Sequence, residues 1–254
     1  MVVEGNLKPT VQWLKDSGLN AVQVTKVIAS QPQLLGYSIE GNLKPSVQWL
    51  NDSGLNAMQV TKVIAAKPHL LGYSIEGNLQ PTVQWLKDLG LNAVQVTKVI
   101  ASSPQLLGLS VEGNLKPTIE GNLNVKVQWL KDLGLNAEQV TKVVATYPPL
   151  LSLSVDANLK PKINLLMEHF AFEALPVIIT RSPSLLGYGS QRLQNRMSTL
   201  LKRGQLSASS LIKVMKLPTE RFLKRFVPET KAFLNHQPPD VAQVVDGGRP
   251  RGQP

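Results

Sequence analysis

Glu4-Gly5-Asn6-Leu7-Lys8-Pro9 returns as Glu40-Gly41-Asn42-Leu43-Lys44-Pro45, as Glu76-Gly77-Asn78-Leu79-Gln80-Pro81, and as Glu112-Gly113-Asn114-Leu115-Lys116-Pro117. Each return comes 36 residues after the last. A fixed period of this length marks a stack of identical supersecondary units. Such a unit buries its apolar face only against its neighbours, so the chain reads as an all-α helical-repeat solenoid rather than one globular core. Solenoids mostly bind extended partners, which directs attention to surfaces rather than catalytic clefts.

Local chemistry predicts the helices inside residues 4–39. Asn6 is expected to cap a first helix, with Pro9 in the first turn, where its missing N–H costs nothing. Leu7, Val11 and Leu14 fall at i, i+4, i+7 and make one apolar stripe. Trp13 widens that stripe, as a helix buried on two sides requires. Gly18 is placed to end the helix in a left-handed conformation. Asn20 with Gln23 forms a capping-box pattern that recurs as Asn56/Gln59, Asn92/Gln95 and Asn136/Gln139. Val24, Val27 and Ile28 supply the second stripe, and Pro32, Pro68, Pro104 and Pro148 stop the second helices. Leu34-Leu35 before Gly36 predicts a short 3₁₀ turn that plugs the core. No segment alternates long enough to predict a strand.

Six repeats follow, at 4–39, 40–75, 76–111, 120–155, 156–189 and 190–227. Residues 112–119 read as an inserted duplication, because Glu120-Gly121-Asn122-Leu123 repeats their start at once. The fifth repeat replaces the tryptophan with Leu165 and is expected to fill its turn with Phe170 and Phe172. The sixth carries Leu193, Met197 and Leu200 on one stripe, then Leu211, Ile212 and Met215. Thr219 is expected to cap a last helix bearing Phe222, Leu223 and Phe226. Residues 228–254, polar and rich in Pro and Gly, are expected to be a disordered tail. Met1-Val2-Val3 leads straight into a repeat without a polar capping unit or targeting segment, so the sequence reads as a truncated chain.

Composition removes several function classes. Cysteine is absent, which excludes disulfides, thiolate zinc sites and cysteine nucleophiles. No apolar run approaches the length of a membrane span. His69, His169 and His236 show no ligand spacing. Asp16, Asp52, Asp88 and Asp132 recur with the period, as scaffold does. Neither an enzyme nor a cofactor, metal or small-molecule substrate is expected.

The net charge of +10 is unevenly spread. Residues 1–155 hold 12 Lys against 10 acids, net +2, whereas 156–254 hold 15 basic residues against 7 acids, net +8, with all eight Arg. Guanidinium is the preferred bidentate phosphate donor, so this basic end points to a polyanion such as nucleic acid. A solvated basic surface without a dedicated partner is the opposing reading. Arg192, Arg196 and Arg203, at i, i+4, i+11, fall within roughly 40° of one another on a helix and are candidate phosphate contacts. Arg221, Lys224 and Arg225 form a second cluster, and Lys213 with Lys216 a third. Lys26, Lys62, Lys98 and Lys142 make a ladder, one per second helix; Val177 interrupts it and Arg181 is a nearby replacement. The ladder could track a phosphate backbone or be surface copied by duplication. Trp13, Trp49, Trp85 and Trp129 are expected in packing rather than in base stacking.

The combination resembles a known family. Asn-Leu-Lys-Pro-x-Val-x-Trp-Leu-Lys-x-Leu-Gly-Leu, a Gln-Val-x-Lys-Val-Ile helix and Pro-x-Leu-Leu-Gly-Tyr-Ser are similar to the repeat of mitochondrial transcription termination factors, the mTERF family. The closing Phe222-Leu223-Lys224-Arg225-Phe226-Val227 resembles the end of plant and algal members. The resemblance spans residues 4 to about 227. It implies a left-handed superhelix of helix–helix–3₁₀ units. It also implies a monomer in the mitochondrion or chloroplast that binds double-stranded DNA through a basic groove and controls transcription, by termination or a related step. Two alternatives stay open: an organellar RNA-binding or processing factor, and a protein-interaction scaffold. The first three repeats are nearly identical, a departure from the family's usual variety.

Overall fold

Each capping-box pair folds as its spacing predicts. In the computed structural model, which describes residues 2–109 and 123–227, Asn20, Asn56, Asn92 and Asn136 accept from the backbone N–H three residues on, and the paired glutamines accept from the asparagine N–H. These caps start the second helices α2 (Ala21–Ser30), α4 (Ala57–Ala66), α6 (Ala93–Ser102) and α8 (Ala137–Thr146). The first helices are α1 (Val2–Asp16), α3 (Lys44–Asp52), α5 (Gln80–Asp88), α7 (Leu123–Asp132) and α9 (Lys160–Met167); α10 (Leu175–Arg181) is the second helix of the fifth repeat. A 3₁₀ turn closes each of these repeats: Pro32–Gly36, Pro68–Gly72, Pro104–Gly108, Pro148–Ser152 and Pro183–Gly187. Its leucines are buried, Leu34, Leu70, Leu106, Leu150 and Leu185 among them. The duplication at 112–119 and the tail at 228–254 lie outside the described residues.

The chain divides at Ser190/Gln191 into two compact units. In the N-terminal unit the second helices pack in succession, α2 on α4, α4 on α6, α6 on α8 and α8 on α10. Threonines tie this layer to the repeat before it. Thr61 Oγ1 donates to Ser17 O at 3.4 Å, Thr97 Oγ1 to Ser53 O at 3.0 Å, and Thr141 Oγ1 to Leu89 O. Each of these bonds satisfies a carbonyl orphaned at the end of a first helix. The glycine that follows makes room. Gly54 has φ +92°, and a Cβ there would stand 2.9 Å from Thr97 Oγ1. Gly54→Ala is expected to destabilise the N-terminal unit by about 1–3 kcal/mol, from left-handed strain plus displaced threonine. A denaturant titration checks this; an unchanged midpoint would show that the turn relaxes freely.

The beginnings of the first helices depart from expectation. Asn6 lies inside α1 rather than at its cap. In the second, third and fifth repeats the caps are Ser38, Ser74 and Ser154, and the asparagines lie within wide turns with i→i−5 bonding at Ile39–Leu43, Ile75–Leu79 and Val155–Leu159. Leu43 N–H donates to Ser38 O at 3.1 Å, and Lys44 N–H to Ile39 O. Pro45, Pro81 and Pro161 stand in the first turn of the helices that follow and offer no N–H, so no bond draws the preceding turn into α-helical pitch.

The fifth repeat replaces the capping box with a 3₁₀ turn, Phe172–Ala174. Phe172 is exposed there rather than filling the turn as expected: this one-turn element has no buried residue. The C-terminal unit contains α11 (Ser190–Lys202), α12 (Ala208–Met215) and α13 (Thr219–Phe226). Pro218, not Thr219, occupies the cap position of α13; Thr219 is its first helical residue. Every regular element among the described residues is helical.

Candidate functional site

Three residues after Leu7, Leu43, Leu79, Leu123, Leu159 and Leu193, all of them buried except Leu7, stands a buried polar side chain: Thr10, Ser46, Thr82, Lys126, Lys162 and Arg196. A residue three on from Leu123 or Leu159 lies on the same helical face as that leucine, so these side chains enter the core despite their charge. For Ser46, Lys126 and Lys162 a carbonyl of the closing turn is within reach. Ser46 Oγ donates to Leu71 O at 3.5 Å, Lys126 Nζ to Leu151 O at 2.5 Å, and Lys162 Nζ to Leu186 O at 2.6 Å. The acceptors belong to the 3₁₀ turns. Desolvation holds the Lys162 ammonium below its ordinary range. The long cations thus knit a repeat's first helix to its closing turn.

Arg196 follows the same rule and corrects the expected phosphate-binding stripe. It is only 2% exposed, donates to Val214 O, and lies 4.6 Å over the Phe222 ring. Arg192 donates to Met215 O at 3.1 Å and Leu217 O at 2.8 Å. Arg203 donates to Phe226 O at 3.2 Å and lies 5.7 Å over that ring. The acceptors sit at or just past the C-terminal ends of α12 and α13, where the helix dipole favours a cation. The aligned arginines are therefore committed to internal bonds that hold three helices together, and Arg196 in particular offers no surface for a phosphate.

The available charge of the C-terminal unit lies elsewhere. Residues 191–227 contain nine Lys and Arg and a single acid, Glu220. Lys202, Lys213, Lys216, Arg221, Lys224 and Arg225 are exposed. On α13 the heptad geometry separates faces: Phe222 and Phe226 stack at 5.3 Å on one side, while Arg221, Lys224 and Arg225 share the other. A hollow between α11, α12 and α13 is floored by Leu200, Val214, Leu217 and Phe226, with Lys213 and Arg225 on its rim. Lys202 was not among the cations that sequence reading singled out; its only signal is a basic residue in the last turn of α11.

In the N-terminal unit, Lys26, Lys62, Lys98 and Lys142 are all exposed at one register of α2, α4, α6 and α8, and Arg181 is exposed in the last turn of α10. Lys62 and Lys98 line one groove between the second and third repeats. Among the described residues the ion pairs are Lys44 with Glu40 at 2.5 Å and Lys160 with Asp156 at 2.6 Å, both exposed i, i+4 pairs outside the ladder. Trp85 is buried and donates to Asn124 Oδ1 of the next repeat at 2.6 Å; Trp13, Trp49 and Trp129 are half-buried. Among the described residues no cluster of His, Asp and Glu could hold a metal ion, and no single helix is long and apolar enough to cross a membrane. One bent apolar pair, Val155–Met167 with Phe172–Arg181 at 117°, is the body of the fifth repeat, with Leu159, Ile163, Leu166, Ile178 and Ile179 buried.

Helix–helix–3₁₀ repeats, four of whose second helices start on the same Asn/Gln cap, define a helical-repeat protein. The mTERF family model matches residues 1–223, and the chain belongs to that family. The family comprises nucleic-acid-binding regulators of organellar transcription rather than enzymes. No curated protein matches the sequence.

Proposed function

We propose that this chain binds duplex DNA through the exposed cations of its sixth repeat and so controls transcription in a mitochondrion or chloroplast, by termination or a related step. The observation that carries the reading is the set of six exposed cations, besides the internally bonded Arg203, against one acid in residues 191–227. Phosphate is the ligand such a set recognises, and counterion release supplies the affinity. Arg181 at the end of α10 is a further candidate contact. Duplex is favoured over single-stranded RNA for a physical reason. Unpaired bases need open aromatic faces to stack on, whereas in the unit that holds the exposed cations Phe222 is buried and Phe226 lies under guanidinium groups. The first three repeats, nearly identical, also lack the variation that a base-by-base code requires.

Fluorescence anisotropy tests this with labelled duplex DNA and single-stranded RNA of the same sequence. Six phosphate contacts predict that affinity for duplex falls roughly 10³-fold between about 50 and 200 mM salt. Binding that ignores salt, or tighter binding to the single strand, would remove the duplex reading.

A further inference from the structure

The second-helix layer carries an exposed aliphatic row that neither the core nor the phosphate-binding reading uses. Val22 is 78% exposed, Met58 68% and Val94 79%. They occupy the same register in α2, α4 and α6, two residues after the capping asparagine. Four residues on, one helical turn away on the same face, stand Lys26, Lys62 and Lys98, also exposed. Met58 and Lys62 line one inter-repeat groove, and Lys62, Val94 and Lys98 line the next. The pattern then stops. The aliphatic position becomes Glu138 in the fourth repeat and Glu173 in the fifth, and the lysine position becomes Val177 in the fifth.

From these rows we infer a docking surface on the first three repeats for a partner protein's acidic amphipathic helix, laid across α2, α4 and α6. Chemistry sets the partner's character. An aliphatic row asks for apolar side chains, and a parallel lysine row asks for carboxylates. Glu138 and Glu173 bound the surface, since an acidic helix extended over them would meet like charge. Spacing sets the partner's conformation. Packed helices lie about 8–10 Å apart, and a helix returns the same face every seven residues, about 10.5 Å along its axis. A β-strand returns a face every two residues, about 6.7 Å, out of step with the rows. A polyproline ridge has nearly the right repeat but presents one side chain per turn, too narrow for two rows. A nucleic-acid backbone would meet the lysines and leave the aliphatic row in water. The inference is independent of duplex binding through the cations of the sixth repeat, because it uses a surface in the other compact unit.

The test uses the full-length chain and a labelled helical peptide of about 21 residues, three heptads, with leucine and glutamate on one face. The wild-type chain binds this peptide saturably and binds a scrambled control at least ~10-fold more weakly. The triple variant Val22→Asp/Met58→Asp/Val94→Asp loses at least ~10-fold in peptide affinity. Lys26→Glu/Lys62→Glu/Lys98→Glu does the same and regains binding to a peptide with lysine in place of glutamate. A milder set, Val22→Thr/Met58→Gln/Val94→Thr, guards against misfolding, with thermal unfolding as the control. The inference is overturned if the charge-swapped peptide gives no rescue, or if the scrambled peptide binds equally well. It is likewise overturned if the aspartate variant loses duplex DNA or RNA affinity while folded, which would assign the rows to nucleic acid. Self-association of the wild type that the aspartate variant abolishes would also overturn it, by placing a second copy on the rows. Loss of duplex binding through the C-terminal cations alone bears on the proposed function and leaves this surface untouched.

Discussion

Replacing Lys213, Lys216, Arg221, Lys224 and Arg225 together with glutamate is expected to lower duplex DNA affinity at least ~10³-fold at about 100 mM salt. All five side chains are exposed, so the substitution leaves the packed faces of α12 and α13 intact. Each removed contact should also flatten the salt dependence by about one unit of slope, so the logarithmic slope is a second readout. Anisotropy titrations over a series of salt concentrations measure both, with circular dichroism to show that the helices persist. A variant that keeps its affinity and slope would displace nucleic acid from this unit. The same substitution should leave the peptide-binding rows on α2, α4 and α6 unaffected, since those lie in the N-terminal unit.

Arg196→Ala is expected to act quite differently. It removes a charge-assisted bond to Val214 O and the contact with the Phe222 ring, and it leaves a cavity where a fully buried side chain stood. The expected loss is about 3–5 kcal/mol of stability in the C-terminal unit. Arg203→Ala, at an exposed position with one backbone bond at 3.2 Å, should cost only about 1 kcal/mol. Hydrogen exchange over α11, α12 and α13 locates the effect and a denaturant titration sizes it. Arg196→Met, which keeps most of the volume, should fall between the two. If Arg196→Ala weakened duplex binding with no loss of exchange protection, Arg196 would belong to the phosphate contacts after all.

Much of the fold was legible locally. The Asn/Gln capping boxes, the left-handed Gly18 and the 3₁₀ turns after Pro32 depend on residues within five positions of one another, so their chemistry can be read along the chain. Asn6 lies inside α1 instead of capping it; in the second, third and fifth repeats the corresponding asparagine lies in a wide turn capped by a serine, as at Ser38. The candidate site was legible only in part. That the ladder lysines are exposed followed from their position opposite the apolar stripe of the second helices. Arg196 carried a signal that went unused. It lies three residues after Leu193 and four before Leu200, both buried, and it shares its repeat position with Lys126 and Lys162. Helical geometry puts such a residue on the packed face; its charge suggested the opposite.

The period of 36 residues, the caps, the turn prolines and the one-sided charge of the last repeat were set by the sequence alone, because each rests on local backbone chemistry or on composition. Which arginines and lysines remain free for a ligand was decided only by tertiary structure. A cation enters the core when a carbonyl of another element stands within reach, and for Lys126, Lys162 and Arg196 that carbonyl belongs to a residue 25, 24 and 18 positions away. No helical periodicity along α7, α9 or α11 reports the position of an acceptor supplied by another element. The exposed aliphatic row has the same origin: Val22, Met58 and Val94 look like ordinary helix residues in sequence, and only the stacking of α2, α4 and α6 shows that nothing within the described part of the chain covers them.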